Sequence, residues 1–273
     1  MAGAASGRRR FRQGPIVKVD LVLAPNPGPF TGPGTNTWIL SSDARAVVID
    51  PGPDIPAHRE ATLAALGSDH PVAVLVTHGH PDHAPAANQL AKHLGVPSCG
   101  PMSSAGFSPD HVVSDGYVVA CGPVDIVVVA TPGHTPDSIC YRAEDALFTG
   151  DHIMGGSTVI VEDMSDYLAS LRKLHGTGLR LLYPGHGAVM HDPDAVIAEY
   201  VTHRLEREAQ ILGAVRSGAR TVGAVVAIVY RDVDPVLHPA AAFSVEAHLR
   251  KLVADEKVRF AGGGWDAPVE AVP

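Results

Sequence analysis

The sequence predicts an α/β protein with a four-layer αββα sandwich over residues 16–192, a long connecting helix over 193–220 and a winged-helix-like module over 221–273. Three observations predict it. β-Branched runs alternate with Gly/Pro-rich turns and helical segments in two successive halves of the chain. After His186 the strands give way to one long amphipathic stretch, and the end of the chain then reads helix, helix, hairpin. Two strand-rich halves with helices outside are what two packed sheets need to cover their outer faces.

The first residues, MAGAASGRRRFRQG, are small and basic with no acid. No apolar segment follows Arg8 to Arg12, so residues 1–15 read as a disordered tail, not a leader. IVKVDLVLA, NTWIL and ARAVVID are strands separated by PNPGPFTGPG and ended by PGPD. AHREATLAAL and PAANQLAKHLG have helical spacing and flank the strand PVAVLV. The second half repeats the theme with VDIVVVA, SICYRA and ALFTG, the amphipathic helix EDMSDYLASLRKLHG and the strand RLLYPG. DPDAVIAEYVTHRLEREAQILGAVRSG is a long helix opened by an Asp-Pro-Asp turn and closed by Gly. Beyond it, Thr221 is placed to cap the helix VGAVVAIVY, HPAAAFSVEAHLRKLVADEK is a second helix, and VRFAGGGWDAP suits a hairpin or wing.

A chain of 273 residues buries a substantial core without a disulfide framework, and its three cysteines, Cys99, Cys121 and Cys140, stand singly. They read as buried free thiols in a reducing, cytoplasmic setting. The apolar runs are too short to span a bilayer, so no membrane association is expected. A formal charge of −8 argues against sequence-independent binding of duplex DNA. Histidine is abundant, at 15 residues, and directs attention to imidazole chemistry.

The densest cluster is THGHPDH, Thr77 to His83, directly after the apolar run AVLV. His78, His80, Asp82 and His83 put four ligand-type side chains on one loop, a set that suits zinc or iron and that burial without a metal would leave short of partners. Asp50 in AVVIDPG, His134 in TPGHTPDS, Asp151 in FTGDH and His186 in YPGHG also follow apolar strands into Gly- or Pro-containing loops. Strand ends along one edge of a sandwich would direct all of them into a shared cleft.

In this order Asp50, HxHxDH, His134, Asp151 and His186 resemble the metallo-β-lactamase superfamily over roughly residues 16 to 190. The resemblance implies the αββα metallo-β-lactamase sandwich and two divalent ions, zinc with iron or manganese as alternatives. It implies that His78, His80 and His134 hold one ion, that Asp82, His83 and His186 hold the other, and that Asp151 bridges them. Asp50 would orient a ligand imidazole, and Asp82 would use a second oxygen to orient the attacking water. Two such ions lower the pKa of a shared water and polarise a carbonyl or phosphoryl oxygen.

True β-lactamases of the superfamily lack the bridging aspartate, so Asp151 points to a thioester, phosphodiester or lactone. The stretch between Asp151 and His186 is too short for the inserted domain of RNA-processing relatives, and no flavodoxin-like segment follows. The segments after Asp151 and the winged module resemble the beta-lactamase-like protein 2 branch. Its animal members imply cleavage of single-stranded RNA, the direction in which this reading leans. Relatives of the same layout imply an acyl thioesterase or glyoxalase-II-like hydrolase of small-molecule esters or thioesters, and a binding protein without turnover is a third reading. Residues 221–273 hold more Asp and Glu than Lys and Arg, so the module reads as a wall over the cleft or a homodimer surface and not as a DNA reader. On the long helix, His203 and Arg207 share a face and Arg204 lies beside them. His203 and Arg204 are expected to reach over the cleft and hold an anionic group of the substrate.

Overall fold

The computed structural model describes residues 17–156 and 159–272. The expected tail, residues 1–15, lies outside the described residues. Strands β1 (Lys18–Leu23), β2 (Asn36–Ser42) and β3 (Arg45–Ile49) pair antiparallel. Helix α1 (Pro56–Leu66) then leads to β4 (His70–Leu75), and α2 (Ala87–Leu94) to β5 (Ser98–Gly100) and β6 (His111–Val112), each strand parallel to the one before. The second sheet begins with β7 (Val118–Cys121), β8 (Val124–Ala130), β9 (Ile139–Ala143) and β10 (Ala146–Gly150), all antiparallel. Helix α3 (Met164–Leu174) carries the chain over to β11 (Leu181–Pro184), parallel to β10, and β12 (Met190–His191) closes the edge.

Each central strand is apolar at nearly every position because both of its faces are covered. Leu40, Val47, Ile49 and Leu75 of the first sheet meet Ile126, Tyr141 and Phe148 of the second. Their neighbours Ile39, Val48 and Val74 point the other way and pack with Leu90 and Ala91 of α2. On the far side, Cys140, Leu147 and Leu182 meet Leu168 and Leu171 of α3. The four expected layers are therefore present. Strands β5, β6, β7 and β12, of two to four residues, are too short to display an alternation and are visible only in the fold.

Helix α4 (Pro193–Arg216) starts where the Asp192 carboxylate accepts from the Ala195 amide. It ends at Arg216, short of residue 220, as Gly218 adopts φ +107°. Thr221 caps α5 (Val222–Val229) by accepting from the Ala224 amide, as expected. Helix α6 (His238–Ala254) and the antiparallel pair β13 (Val258–Phe260) and β14 (Val269–Ala271) complete the winged-helix module. Helix α4 belongs to two cores: Ile197 packs in the sandwich with α3, and Ile211 and Val215 pack in the module with Val226, Val245 and Leu249. Ala247 of α6 reaches back into the sandwich core, so the module is docked on the α3/α4 layer.

Among the described residues no helix is long and apolar enough to cross a membrane. The three cysteines are free and buried. Burial pushes the Cys99 thiol up to about 11 and the Cys140 thiol up to about 12. A thiol reagent at pH 8 is therefore expected to label none of them in the native protein and all of them after denaturation; rapid native labelling would contradict this packing.

Candidate metal centre

Parallel pairing decides where the polar loops emerge. β3 and β4 run the same way, as do β10 and β11, and β8 shares the direction of β10 through two antiparallel steps. Asp50 follows β3, Thr77 to His83 follow β4, His134 follows β8, Asp151 follows β10 and His186 follows β11. All of them leave the sandwich at one edge. The two sheets are tied there by Ile139 N donating to Thr77 O and by Asn36 N donating to Gly185 O.

Seven side chains converge in two groups, His78 with His80, His134 and Asp151, and Asp82 with His83 and His186, each group with its ligand atoms within 4.8 Å of one another. In the first, His80 Nδ1 lies 3.0 Å from His78 Nε2 and 3.1 Å from His134 Nε2. In the second, His83 Nε2 lies 3.2 Å from His186 Nε2, and Asp82 Oδ2 lies 3.1 Å from His186 Nε2. Hydrogen bonds among neutral imidazoles do not account for such a threesome, because His80 Nδ1 has a single proton or a single lone pair to offer and so can serve one of its two nitrogen neighbours at a time.

The far nitrogens explain the orientation. His78 Nδ1 meets Thr77 Oγ1 at 3.0 Å, His83 Nδ1 meets Asp50 Oδ2 at 3.0 Å, His134 Nδ1 meets Ile160 O at 2.6 Å and His186 Nδ1 meets Gly34 O at 3.2 Å. A proton held at each of these nitrogens leaves the inward nitrogen with its lone pair, the tautomer that a metal ligand requires. Asp50 is the hub of this outer layer. It also accepts from Thr77 N and Thr77 Oγ1, both at 2.8 Å, and turns its carboxylate inward from a left-handed backbone at φ +50°.

Asp151 joins the groups. Its Oδ1 lies 3.3 Å from His83 Nε2 and 3.4 Å from His186 Nε2, and its Oδ2 lies 3.8 Å from His134 Nε2. One carboxylate oxygen thus faces each group. Oδ1 is buried with no hydrogen-bond partner, a costly state for a carboxylate oxygen unless a cation completes its surroundings. The charges tell the same story. Burial would raise the Asp151 pKa, but His83 and His186 outweigh it and hold the carboxyl well below its usual range. Burial disfavours a charge on His186, yet Asp151 and Asp82 outweigh it and hold its pKa up to about 9. Positive charge is thus favoured at His83 and His186, beside Asp151 and Asp82, while burial holds His78 and His134 toward the neutral form that a metal ligand takes, so the donor set fits cations in the cluster.

His80 and Asp82 are the partly exposed members of the cluster and form its opening to solvent. His203 is exposed on α4. Arg204 is not extended over the opening: it is 2% exposed, donates from Nη2 to Val159 O at 2.7 Å and lies with Cζ 5.3 Å from the centre of the Tyr167 ring. Sequence reading missed several supporting residues. Asn36 Nδ2 donates to Pro184 O and Gly187 O, and Trp38 Nε1 donates to Pro184 O, so β2 holds the loop that carries His186. Thr35 Oγ1 reaches Asp82 Oδ2 at 3.5 Å. Gly185 has no room for a side chain, since a Cβ there would lie 2.5 Å from Asp151 Oδ1.

An αββα sandwich that gathers histidines and aspartates into two adjoining ligand groups at one sheet edge defines a class of metal-dependent hydrolases. The chain belongs to the metallo-β-lactamase superfamily: residues 30–186 match the family model described as Metallo-beta-lactamase superfamily, and residues 221–265 match the Beta-lactamase associated winged helix domain. It is similar to a Beta-lactamase-like protein 2 homolog of Caenorhabditis elegans, 33% identical over 249 residues covering 87% of this chain and 84% of that one. It is also similar to an Atrochrysone carboxyl ACP thioesterase of Aspergillus chevalieri, 34% identical over 256 residues covering 89% and 83%. A metallo-beta-lactamase family protein of Thermus thermophilus superposes with a TM-score of 0.76 at 20% identity over 93% of this chain and 98% of that one, a likeness of fold alone.

Proposed function

We propose that the protein is a binuclear zinc hydrolase that cleaves an acyl thioester. The observation that carries the two-metal part is Asp151, whose oxygens face separate ligand groups while Oδ1 lacks a hydrogen-bond partner. The thioesterase relatives support the choice of bond. In this reading His78, His80 and His134 hold one ion, Asp82, His83 and His186 hold the other, and Asp151 lies between. Iron or manganese would fill the same donor set, and metal analysis of the purified protein decides among them. Two ions bound there supply an activated water and polarise the scissile carbonyl.

The remaining roles fall to the chain. Asp50 holds His83 and, through Thr77, His78 in register. Asp82, partly exposed with Oδ2 toward His186, uses Oδ1 to accept a hydrogen bond from the attacking water. Asp82→Asn is accordingly expected to lower turnover by about 10²-fold with modest metal loss, and unchanged turnover would remove Asp82 from this role. The winged module, acidic on balance and docked on the α3/α4 layer, serves as a structural support and not as a DNA reader.

Cleavage of single-stranded RNA is the second reading, favoured by the affinity of a dication pair for phosphate. Purified protein tested in parallel on acyl thioesters and on unstructured RNA separates the two. Thioester hydrolysis that is lost with chelator and in His80→Ala supports the first. RNA cleavage lost under the same conditions, with thioesters untouched, supports the second.

A further inference from the structure

Arg204 is a buried cation with no carboxylate within ion-pair distance among the described residues. Its partners are a carbonyl and an aromatic face, and its Nε has no hydrogen-bond partner. Burying a guanidinium this way is costly, and an apolar side chain would pack the layer between α3 and α4 at less expense. What Arg204 holds is therefore informative.

Two short paths lead from it to the cluster. Nη2 donates to Val159 O at 2.7 Å, and the very next carbonyl, Ile160 O, receives His134 Nδ1 at 2.6 Å. The other end of this segment is fastened independently, since Glu162 N and Asp163 N both donate to Gly133 O, beside His134. The guanidinium is thus the side-chain anchor at the Val159 end. The second path runs through Tyr167, whose ring lies under the guanidinium and whose hydroxyl donates to His152 O at 2.8 Å, next to Asp151. Tyr167 also presses its backbone against Gly133, where a Cβ would come within 2.4 Å of the Tyr167 Cα. Both paths end on His134 and Asp151. Except through Asp151, neither reaches His83 or His186, which are held by Asp50 and by Gly34 O.

We infer that Arg204 is a positioning residue for the first ligand group: by fixing the Val159–Ile160 carbonyls and the Tyr167 ring it sets the tautomer and direction of His134 and the placement of Asp151. This rests on the metal-centre reading above. It replaces direct contact with the substrate as the role of Arg204.

Cobalt(II) alone is the probe, followed by its absorption in the visible range. In a His186→Ala background, where the group of His78, His80, His134 and Asp151 is intact, Arg204→Met is expected to lower cobalt affinity by about 10- to 100-fold and alter the ligand-field bands. In a His134→Ala background, where the group of Asp82 and His83 with His186 is left, the same change costs clearly less, because only the path through Asp151 still reaches that group. Tyr167→Phe, which keeps the ring and removes the hydroxyl that bonds His152 O and interacts with Arg204, produces a smaller loss in the first background, and Arg204→Lys recovers part of the affinity. In the otherwise intact enzyme kcat falls and KM holds. Equal affinities for Arg204→Met and its parent in both backgrounds would overturn the inference, as would a raised KM with unchanged cobalt binding, which would make Arg204 a substrate contact. Failure of the unsubstituted protein to bind cobalt would overturn the metal-centre reading as well, so the two failures are distinct.

Discussion

Replacing Asp151 by Asn is expected to reduce bound metal from two ions per chain to one and hydrolysis by about a thousandfold, a loss of about 4 kcal/mol in transition-state stabilisation. Among the described residues the carboxylate faces both ligand sets, with Oδ1 toward His83 and His186 and Oδ2 toward His134. An amide has the same shape, but it offers one oxygen acceptor and no charge, so it can serve one set only. The cluster would then lose the anion that offsets two dications in a buried place. Metal content by elemental analysis beside turnover of the accepted substrate checks the result. Two ions retained at unchanged turnover would refute the bridging role, and two ions retained at low turnover would assign Asp151 to orientation of the attacking water.

Gly185→Ala is expected to remove most activity through geometry alone, without replacing a ligand. A Cβ at this position would stand 2.5 Å from Asp151 Oδ1 and 2.6 Å from His83 Cε1, distances that force one or both side chains aside. The backbone cannot retreat easily, because Gly185 N donates to Gly150 O and Gly185 O accepts from Asn36 N. Metal affinity should fall about 10- to 100-fold while circular dichroism stays native. The control is Gly213→Ala on α4, where a Cβ meets open space, and there the loss of unfolded-state freedom should raise stability by about 0.4–1 kcal/mol. A Gly185→Ala protein with full metal and full activity would show that the loop after β11 moves more freely than its hydrogen bonds imply.

Much of the frame was legible because it is written in short periods. The apolar runs of β2, β3, β4 and β10 announce strands covered on both faces over most of their length, and the spacing in α3 and α4 announces helices covered on one. Thr221, accepting from the amide three residues on, is a local signal that needs no tertiary context. The ligand cluster was legible for a related reason: His78, His80, Asp82 and His83 are neighbours in the chain, and the remaining ligands share the pattern of an apolar strand that ends in a Gly or Pro loop. Arg204 shows where such reading stops. Helical spacing places it beside His203, but whether a guanidinium meets solvent or a tyrosine ring depends on which helix lies across from it.

The chain alone therefore carries the elements, the two-part organisation and the eight candidate residues of the cluster, Asp50 among them, since periodicity and turn chemistry are properties of adjacent positions; the division into seven ligands and a supporting Asp50 came from the family resemblance. Packing decides everything that depends on residues distant in sequence. It sets Asp151 between two groups drawn from the loops that follow β4, β8 and β11, and it pins the outer nitrogen of His134 on Ile160 and that of His186 on Gly34. It also requires glycine at position 185 and turns Arg204 inward. No local pattern encodes these proximities, because they are created by the register of β3 with β4 and of β10 with β11, which brings the strand ends to one edge of the sandwich.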